Sequence, residues 1–128
     1  MKVALARLVA FALLALLAGC SFKLDPITNV RVESHRDGMA VQEHDLSEGR
    51  VRELSTWFSQ HQSGWSRSTA SYVPVFVARA KHSDGATTVI NVLSNIVVVY
   101  NKSGQFSQQI EAQELKALRE ALGVVNDG

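Results

Sequence analysis

The sequence predicts an α+β domain in which an antiparallel sheet of three to five strands packs with two helices. Two β-branched runs flank the turn dipeptide Asp84-Gly85, which is the pattern of a β-hairpin. Two other stretches, 47–60 and 112–122, place apolar residues at helical spacing. Because no repeat and no linker-like break divides the chain after its N-terminal part, we expect one small domain over residues 27–128.

Residues 1–19 have the features of a secretory signal and precede this domain. Lys2 and Arg7 come before an unbroken apolar run from Leu8 to Ala18, which is the order of the charged and hydrophobic regions in such signals. The run is too short to span a bilayer, because a helix needs about 20 apolar residues to cross the hydrocarbon core. We therefore expect residues 1–19 to be cleaved off.

The apolar run ends in the tetrapeptide Leu17-Ala18-Gly19-Cys20. This tetrapeptide resembles the lipobox of bacterial lipoproteins, in which Leu, a small residue, Gly or Ala, and Cys follow one another. The resemblance covers the first 20 residues and implies that the chain is cut before Cys20, whose sulfur carries a diacylglyceryl group and whose amine is often acylated. Two or three acyl chains would anchor the protein stably, because each buried methylene contributes about 0.8 kcal/mol.

The residues after Cys20 predict which membrane holds the anchor and how the domain is connected to it. In Gram-negative lipoproteins an Asp in the next position retains the protein at the inner membrane, whereas this chain has Ser21. The resemblance therefore implies an outer-membrane lipoprotein that faces the periplasm. The next residues show no hydrophobic period, and Pro26 disfavours a helix at Asp25. We expect residues 20–26 to be the lipidated cysteine and a tether.

Two short patterns predict the first elements of the domain. Valines that alternate with polar residues predict a strand over 27–33. Asp45 stands three residues before Glu48, which is the spacing of a capping box, and apolar residues follow at helical spacing. This pattern predicts a helix over about 47–60, followed by a polar loop over 62–71.

The second half of the domain predicts a strand meander that ends in a helix. The strands are apolar on both faces between residues 89 and 99, so we expect the sheet to be covered on each side or to lie against a partner. The final helix has leucines at helical spacing and a Gly just past its end. The predicted elements are strands over 72–80, 87–93, 96–100 and 105–110 and a helix over 112–122.

The charge of the mature chain excludes a nucleic-acid partner. The full sequence has 13 basic and 12 acidic residues, and Lys2 and Arg7 leave with the signal, so 11 basic residues remain against 12 acidic ones. These basic residues are scattered among the acids, whereas a nucleic-acid surface needs them clustered on one face.

The histidines and serines predict no metal site, no cofactor and no catalytic centre. The intervals between the four histidines, His35, His44, His61 and His82, are 9, 17 and 21 residues, which match no zinc motif. His82 comes just before the Asp84-Gly85 turn, and we interpret it as hairpin polarity. No Gly-x-Ser-x-Gly elbow is present. We therefore predict that the protein is not an enzyme.

The residues Trp65 and Arg67 are the candidate binding residues of this sequence. Trp65 lies in the middle of the polar stretch 62–71. It either packs back on the core as a lid, as most such residues do, or stands exposed beside Arg67 as an anchor for a partner.

These observations predict a membrane-anchored, non-enzymatic module that binds another protein of the envelope, either in an assembly or as an inhibitor or immunity-type protein. A small-molecule or lipid carrier is the alternative. The doubly apolar strands permit that alternative, because they allow an apolar pocket between the sheet and the helices.

Overall fold

A computed structural model describes residues 20–36 and 38–124. The predicted signal over residues 1–19, with Leu17, Ala18 and Gly19 of the lipobox-like tetrapeptide, lies outside the described residues. The described residues form the following elements in chain order: β1 (Ile27–Ser34), β2 (Gln42–Asp45), α1 (Glu48–Ser59), β3 (Ser66–Arg67), β4 (Phe76–His82), β5 (Thr87–Val92), β6 (Ile96–Asn101), β7 (Gly104–Gln109) and α2 (Ala112–Ala121).

The strands form one sheet in the order β2-β1-β4-β5-β6-β7-β3, and every neighbouring pair is antiparallel. The α+β class is thus confirmed, but the sheet has seven strands instead of the predicted three to five. The two additional strands, β2 and β3, are the two edges. Their sequences, Gln-Glu-His-Asp and Ser-Arg, are polar and short, so only their hydrogen bonds to β1 and β7 make them strands.

One face of the sheet packs against both helices. On β4 the side chains of Phe76, Ala78 and Ala80 point to this face, which we call the helix face, and all three are buried. The register continues the row of Ala78 through Ile90 on β5 and across β6 to β7. These rows form the apolar core with the buried sides of α1 and α2.

The N-cap of helix α1 is Ser47, two residues after the predicted cap Asp45. The Ser47 side chain accepts a hydrogen bond from the Arg50 backbone N–H at 3.3 Å. Asp45, which we expected to cap the helix, is instead the last residue of β2 and pairs with Arg31. The helix buries Leu54, Trp57 and Phe58 against the sheet.

Helix α2 begins and ends close to the predicted bounds. Leu115 and Leu118 are buried as the leucine spacing predicted, and Gly123 follows the helix with a φ of 67°, a value that favours glycine. Trp57 on α1 donates its indole N–H to the Glu114 backbone oxygen at 2.9 Å. The two helices therefore pack as one layer.

The opposite face of the sheet, which we call the open face, is crossed by residues 69–75, the crossing segment. Ser68 continues the pairing of β3 with β7, so the chain has to pass β7, β6 and β5 to enter β4 at Phe76. Gln105 holds the segment by donating a hydrogen bond to the Ala70 oxygen at 2.8 Å. Val77 and Val98 point to the open face and are buried, in agreement with the expectation that both faces are covered.

Candidate functional site

Cys20 is the first described residue, and its backbone is part of the fold. Its N–H donates to the Trp65 oxygen at 2.8 Å, and the Trp65 N–H donates to the Cys20 oxygen at 3.2 Å. Because Trp65 directly precedes β3, this pair places Cys20 outside that edge strand. The Cys20 residue is exposed and its thiol is free, so the atom that lipidation would modify lies at the surface.

The residues after Cys20, expected to be a tether, pack against the domain instead. We call residues 20–26 the N-terminal segment. Phe22 is buried, with its ring centroid 5.9 Å from that of Phe58, 5.5 Å from that of Trp65 and 6.2 Å from that of Phe106. The Phe22 N–H donates to the Gln62 oxygen at 2.7 Å. A lack of periodicity predicted the tether, but the segment is docked by one buried aromatic residue and by backbone hydrogen bonds, and neither produces a hydrophobic period.

His82 fixes the other end of the N-terminal segment. Its Nδ1 lies 3.1 Å from the Asp25 oxygen and 3.2 Å from the Pro26 oxygen. Since backbone oxygens only accept hydrogen bonds, Nδ1 carries the proton and donates. Its Nε2 lies 2.7 Å from the Thr88 hydroxyl oxygen, and the His82 side chain is buried. The interpretation of His82 as hairpin polarity is therefore wrong.

The two candidate binding residues have different positions. Trp65 has an exposed fraction of 0% and packs with Phe58 and Phe22, and its indole N–H donates to the His61 oxygen. It therefore takes the first of the two alternatives and has no surface to offer a partner. Arg67 is exposed, with its guanidinium carbon 5.4 Å from the centre of the Phe106 ring. Only Arg67 of the pair is accessible.

The remaining histidines lie in separate parts of the domain. His44 donates from Nε2 to the Leu122 oxygen at 2.8 Å and so ties β2 to the end of α2. His61 stacks on Trp57 with ring centroids 3.9 Å apart, and its Nε2 lies 3.2 Å from a carboxylate oxygen of Glu114. Within residues 20–36 and 38–124, no group of three or more His, Cys, Asp or Glu side chains is placed to hold a metal ion.

A small ionic cluster lies on the open face beside the β1–β2 hairpin. Glu33 contacts His35 at 3.2 Å and Arg79 at 3.3 Å. The hydrogen bond from His35 lowers the pKa of Glu33; burial opposes this shift, and Arg79 lowers the pKa further. On the neighbouring pair of strands, Arg31 donates to the Glu43 carboxylate at 2.7 Å, which raises the pKa of Arg31.

Exposed apolar side chains gather next to this cluster. The residues Met39, Val41, Val73 and Val75 have exposed fractions of 57%, 52%, 90% and 40%. The first two belong to the turn between β1 and β2, and the last two end the crossing segment. A hydrogen bond of 2.8 Å from the His35 N–H to the Val75 oxygen joins the two pieces of chain. We call these four residues the hairpin surface.

The hairpin surface is the main exposed apolar feature of the part of the chain that the structure describes. Among its large apolar residues, the only other one with comparable exposure is Tyr100, on β6. Clustered exposed apolar side chains mark contact sites for partners more often than scattered ones do. The sequence offered one weak signal for this surface, since valines on both sides of Pro74 lie in a stretch that precedes the apolar run of β4.

Two grooves lie beside α1, and both are open to solvent. One of about 630 Å³ runs between α1 and α2 and is lined by the small residues Gly49, Ala117 and Ala121, with charged side chains at its rim. The other, of about 310 Å³, lies between the start of β1 and α1. The second groove thus lies between the sheet and a helix, where we expected the pocket of a carrier.

No family model, curated protein or solved structure matches this chain. In the described residues, neither helix is long and apolar enough to cross a bilayer. The residues with a recognisable pattern are thus those that end at Cys20, and the hairpin surface is known from geometry alone.

Proposed function

We propose that the protein is a lipid-anchored lipoprotein of the cell envelope whose domain binds another envelope protein and catalyses no reaction. The anchor is Cys20, at the outer membrane and facing the periplasm, and the contact is the hairpin surface. The observation that carries the proposed contact is the cluster of Met39, Val41, Val73 and Val75, which are exposed on two neighbouring pieces of chain. The partner belongs to an envelope assembly or is the target of an inhibitor or immunity-type protein.

The position of Cys20 in the fold is compatible with a lipidated residue. Its sulfur is at the surface, where a diacylglyceryl group meets no packed core. Acylation of the amine makes an amide, which retains one N–H, so the hydrogen bond to the Trp65 oxygen can persist. The anchor and the fold therefore do not compete for the same atoms.

The surroundings of the hairpin surface are those of a protein contact. Interfaces that bind proteins have an apolar centre and a polar rim, and most of the binding energy comes from a few residues near the centre. Here the apolar residues have His35 beside them, and the ion pairs of Glu33 and Glu43 lie on the same two strands. Such a rim gives a partner of complementary charge a preferred orientation.

A small-molecule or lipid carrier is the second candidate, and the groove between α1 and α2 is the observation in its favour. Its volume of about 630 Å³ falls in the usual range of ligand pockets. Its rim, however, includes Arg52, Glu53 and Glu120, which suits a polar ligand better than an acyl chain. A ligand that co-purifies with the protein and is lost in an Ala117→Trp variant would favour this candidate.

Photo-cross-linking in intact cells tests the binding function. A photoreactive amino acid at Val73 should give one dominant protein adduct, and a Met39→Asp, Val41→Asp double substitution in the same chain should reduce that adduct at least tenfold. Tyr100→Asp is the matched control, because it changes an equally exposed apolar residue elsewhere. An adduct that survives the double substitution would refute the hairpin surface as the contact.

Mass spectrometry of the membrane-extracted protein tests the anchor separately. We expect Cys20 as the N-terminal residue with two or three acyl chains, and a Cys20→Ser variant without them. An unmodified chain that retains residues 1–19 would refute the anchor whatever the cross-linking shows.

A further inference from the structure

No flexible linker separates the lipid-bearing residue from the folded domain. Cys20 is paired to Trp65 by two backbone hydrogen bonds, and Phe22, two residues later, is buried among aromatic rings. At the far end of the N-terminal segment, His82 donates to the Asp25 and Pro26 oxygens. A lipid on the Cys20 sulfur is therefore only one side chain away from the edge of the sheet.

From this geometry we propose that the bilayer surface is itself a docking partner of the domain, and that one edge of the sheet lies against the phospholipid headgroups. We call this edge the anchor face, and it consists of Cys20, Lys23, Gln62, Ser63, Ser66 and Arg67. The inference rests on the proposed lipidation of Cys20. It adds the orientation of the domain, which a free tether would leave undefined.

The charge around the anchor face suits phospholipid headgroups. Residues 54–83 contain neither Asp nor Glu, so β3 and both of its flanking loops bring no carboxylate to the membrane. Lys23 and Arg67 are exposed, and the other polar members of the face are uncharged. On the neighbouring α2, the Glu114 carboxylate lies 3.2 Å from His61 Nε2. Exposed Lys and Arg are attracted to anionic lipids, and uncharged polar side chains hydrogen-bond at headgroup depth.

The same geometry places the hairpin surface away from the membrane. Between Cys20 and β1 lie six strand spacings, one from Cys20 to β3 and five from β3 through β7, β6, β5 and β4 to β1. Cys20 and the hairpin surface therefore lie at opposite edges of the sheet. With the anchor face on the bilayer, the hairpin surface lies on the far edge, where a partner can reach it.

Fluorescence quenching on vesicles tests this orientation. The lipidated full-length protein is labelled with an environment-sensitive fluorophore at Ser63→Cys or, in a second sample, at Met39→Cys, and is reconstituted in vesicles of phosphatidylethanolamine and phosphatidylglycerol. Part of the lipid carries a nitroxide on its headgroup. We expect the label at Ser63 to be quenched at least threefold more than the label at Met39.

A linker variant is the matched control, because it keeps the fold and the lipid but restores a tether. Twelve Gly and Ser residues are inserted between Ser21 and Phe22, so Phe22 can still dock. Such a linker has a root-mean-square length of roughly 19 Å. We expect the quenching at Ser63 to fall to the level at Met39, while both proteins still float with the vesicles.

Equal quenching of the two labels in the native-length protein would overturn the orientation. The same holds if the linker leaves the quenching at Ser63 unchanged. Flotation separates this failure from that of the proposed function. A native protein that floats with its acyl chains but shows equal quenching retains its anchor and lacks the docked edge. A protein without acyl chains that does not float would overturn both the anchor and the orientation.

Discussion

The N-terminal segment and the crossing segment are seven residues each, both mix polar and apolar side chains, and they cross opposite faces of the same sheet. The first lies on the helix face and buries Phe22 among the rings of Phe58, Trp65 and Phe106. The second lies on the open face and leaves Val73 almost fully exposed. Composition does not separate the two segments. What separates them is the surface underneath, because only the helix face has helices beside it that complete an aromatic hollow.

This difference assigns different tasks to the two segments. Removing side chains from the N-terminal segment should weaken the fold, because its contacts are part of the core. Removing side chains from the end of the crossing segment should leave the fold intact and weaken the contact with a partner. Four substitutions test this contrast, in order of their expected effect on stability.

Phe22→Ala should have the largest effect on stability. It removes a buried ring from the core, and we expect the free energy of unfolding to fall by about 3 kcal/mol. Denaturant titration of the Cys20→Ser protein measures this loss, with Val73→Ala as the control on the crossing segment. If the two variants lost the same stability, the contrast between the segments would be wrong.

His82→Leu should have the next largest effect. The substitution leaves the Asp25 and Pro26 oxygens and the Thr88 hydroxyl without their present partner, and a buried group without a hydrogen bond costs about 1–3 kcal/mol. Unfolding followed by tryptophan fluorescence gives the loss. Lys81→Leu, at the exposed neighbouring position, should change stability by less than about 0.5 kcal/mol. A neutral His82→Leu would show that the N-terminal segment is held by Phe22 alone.

Glu33→Gln should have a smaller effect that depends on pH. The pKa of Glu33 is lowered in the folded protein, so its contribution is present above the pKa of the unfolded chain and is lost as pH falls through the folded pKa. Glu33 forms a hydrogen bond with the His35 side chain, and the His35 backbone N–H donates to the Val75 oxygen. The substitution therefore also loosens the end of the crossing segment. We expect a loss of about 0.5–1 kcal/mol at neutral pH. The two stability curves should converge in acid, and parallel curves would contradict the assignment.

Val73→Asp should have the smallest effect on stability and a large one on binding. Its side chain is exposed, and exposed substitutions away from structural features usually change stability by less than about 0.5 kcal/mol. Thermal unfolding measures the stability of this variant, and cross-linking from a photoreactive amino acid at Met39 instead of Val73 measures its binding. A variant that unfolds much earlier would show that the crossing segment is as structural as the N-terminal segment.

Local patterns in the sequence predicted the parts of the fold that local contacts determine. The hairpin of β4 and β5 was evident from Asp84-Gly85, and α2 from the spacing of Leu115 and Leu118. The edge strands β2 and β3 were not, because two or four polar residues have no strand period of their own. Their pairing depends on β1 and β7, which are already in place in the sheet.

Only the part of the candidate site that belongs to a sequence motif could be predicted from the sequence. Cys20 belongs to such a motif, whereas the docking of the segment that follows it depends on partners far along the chain, such as His82, which is 57 residues from Asp25. The burial of Trp65 was one of two alternatives that its polar loop left open. The hairpin surface could not be predicted, because a valine is exposed or buried according to what the rest of the chain places over it.

The backbone pairing of Cys20 with Trp65 also determines the order in which lipidation and folding take place. Under the proposed lipidation, the enzymes that acylate Cys20 and cleave before it must hold this stretch in their own active sites, at the membrane. They cannot do so while Phe22 is inside the domain and Cys20 is hydrogen-bonded to the sheet edge. Maturation therefore comes before the last step of folding, and the first residue of the mature chain is among the last to reach its place.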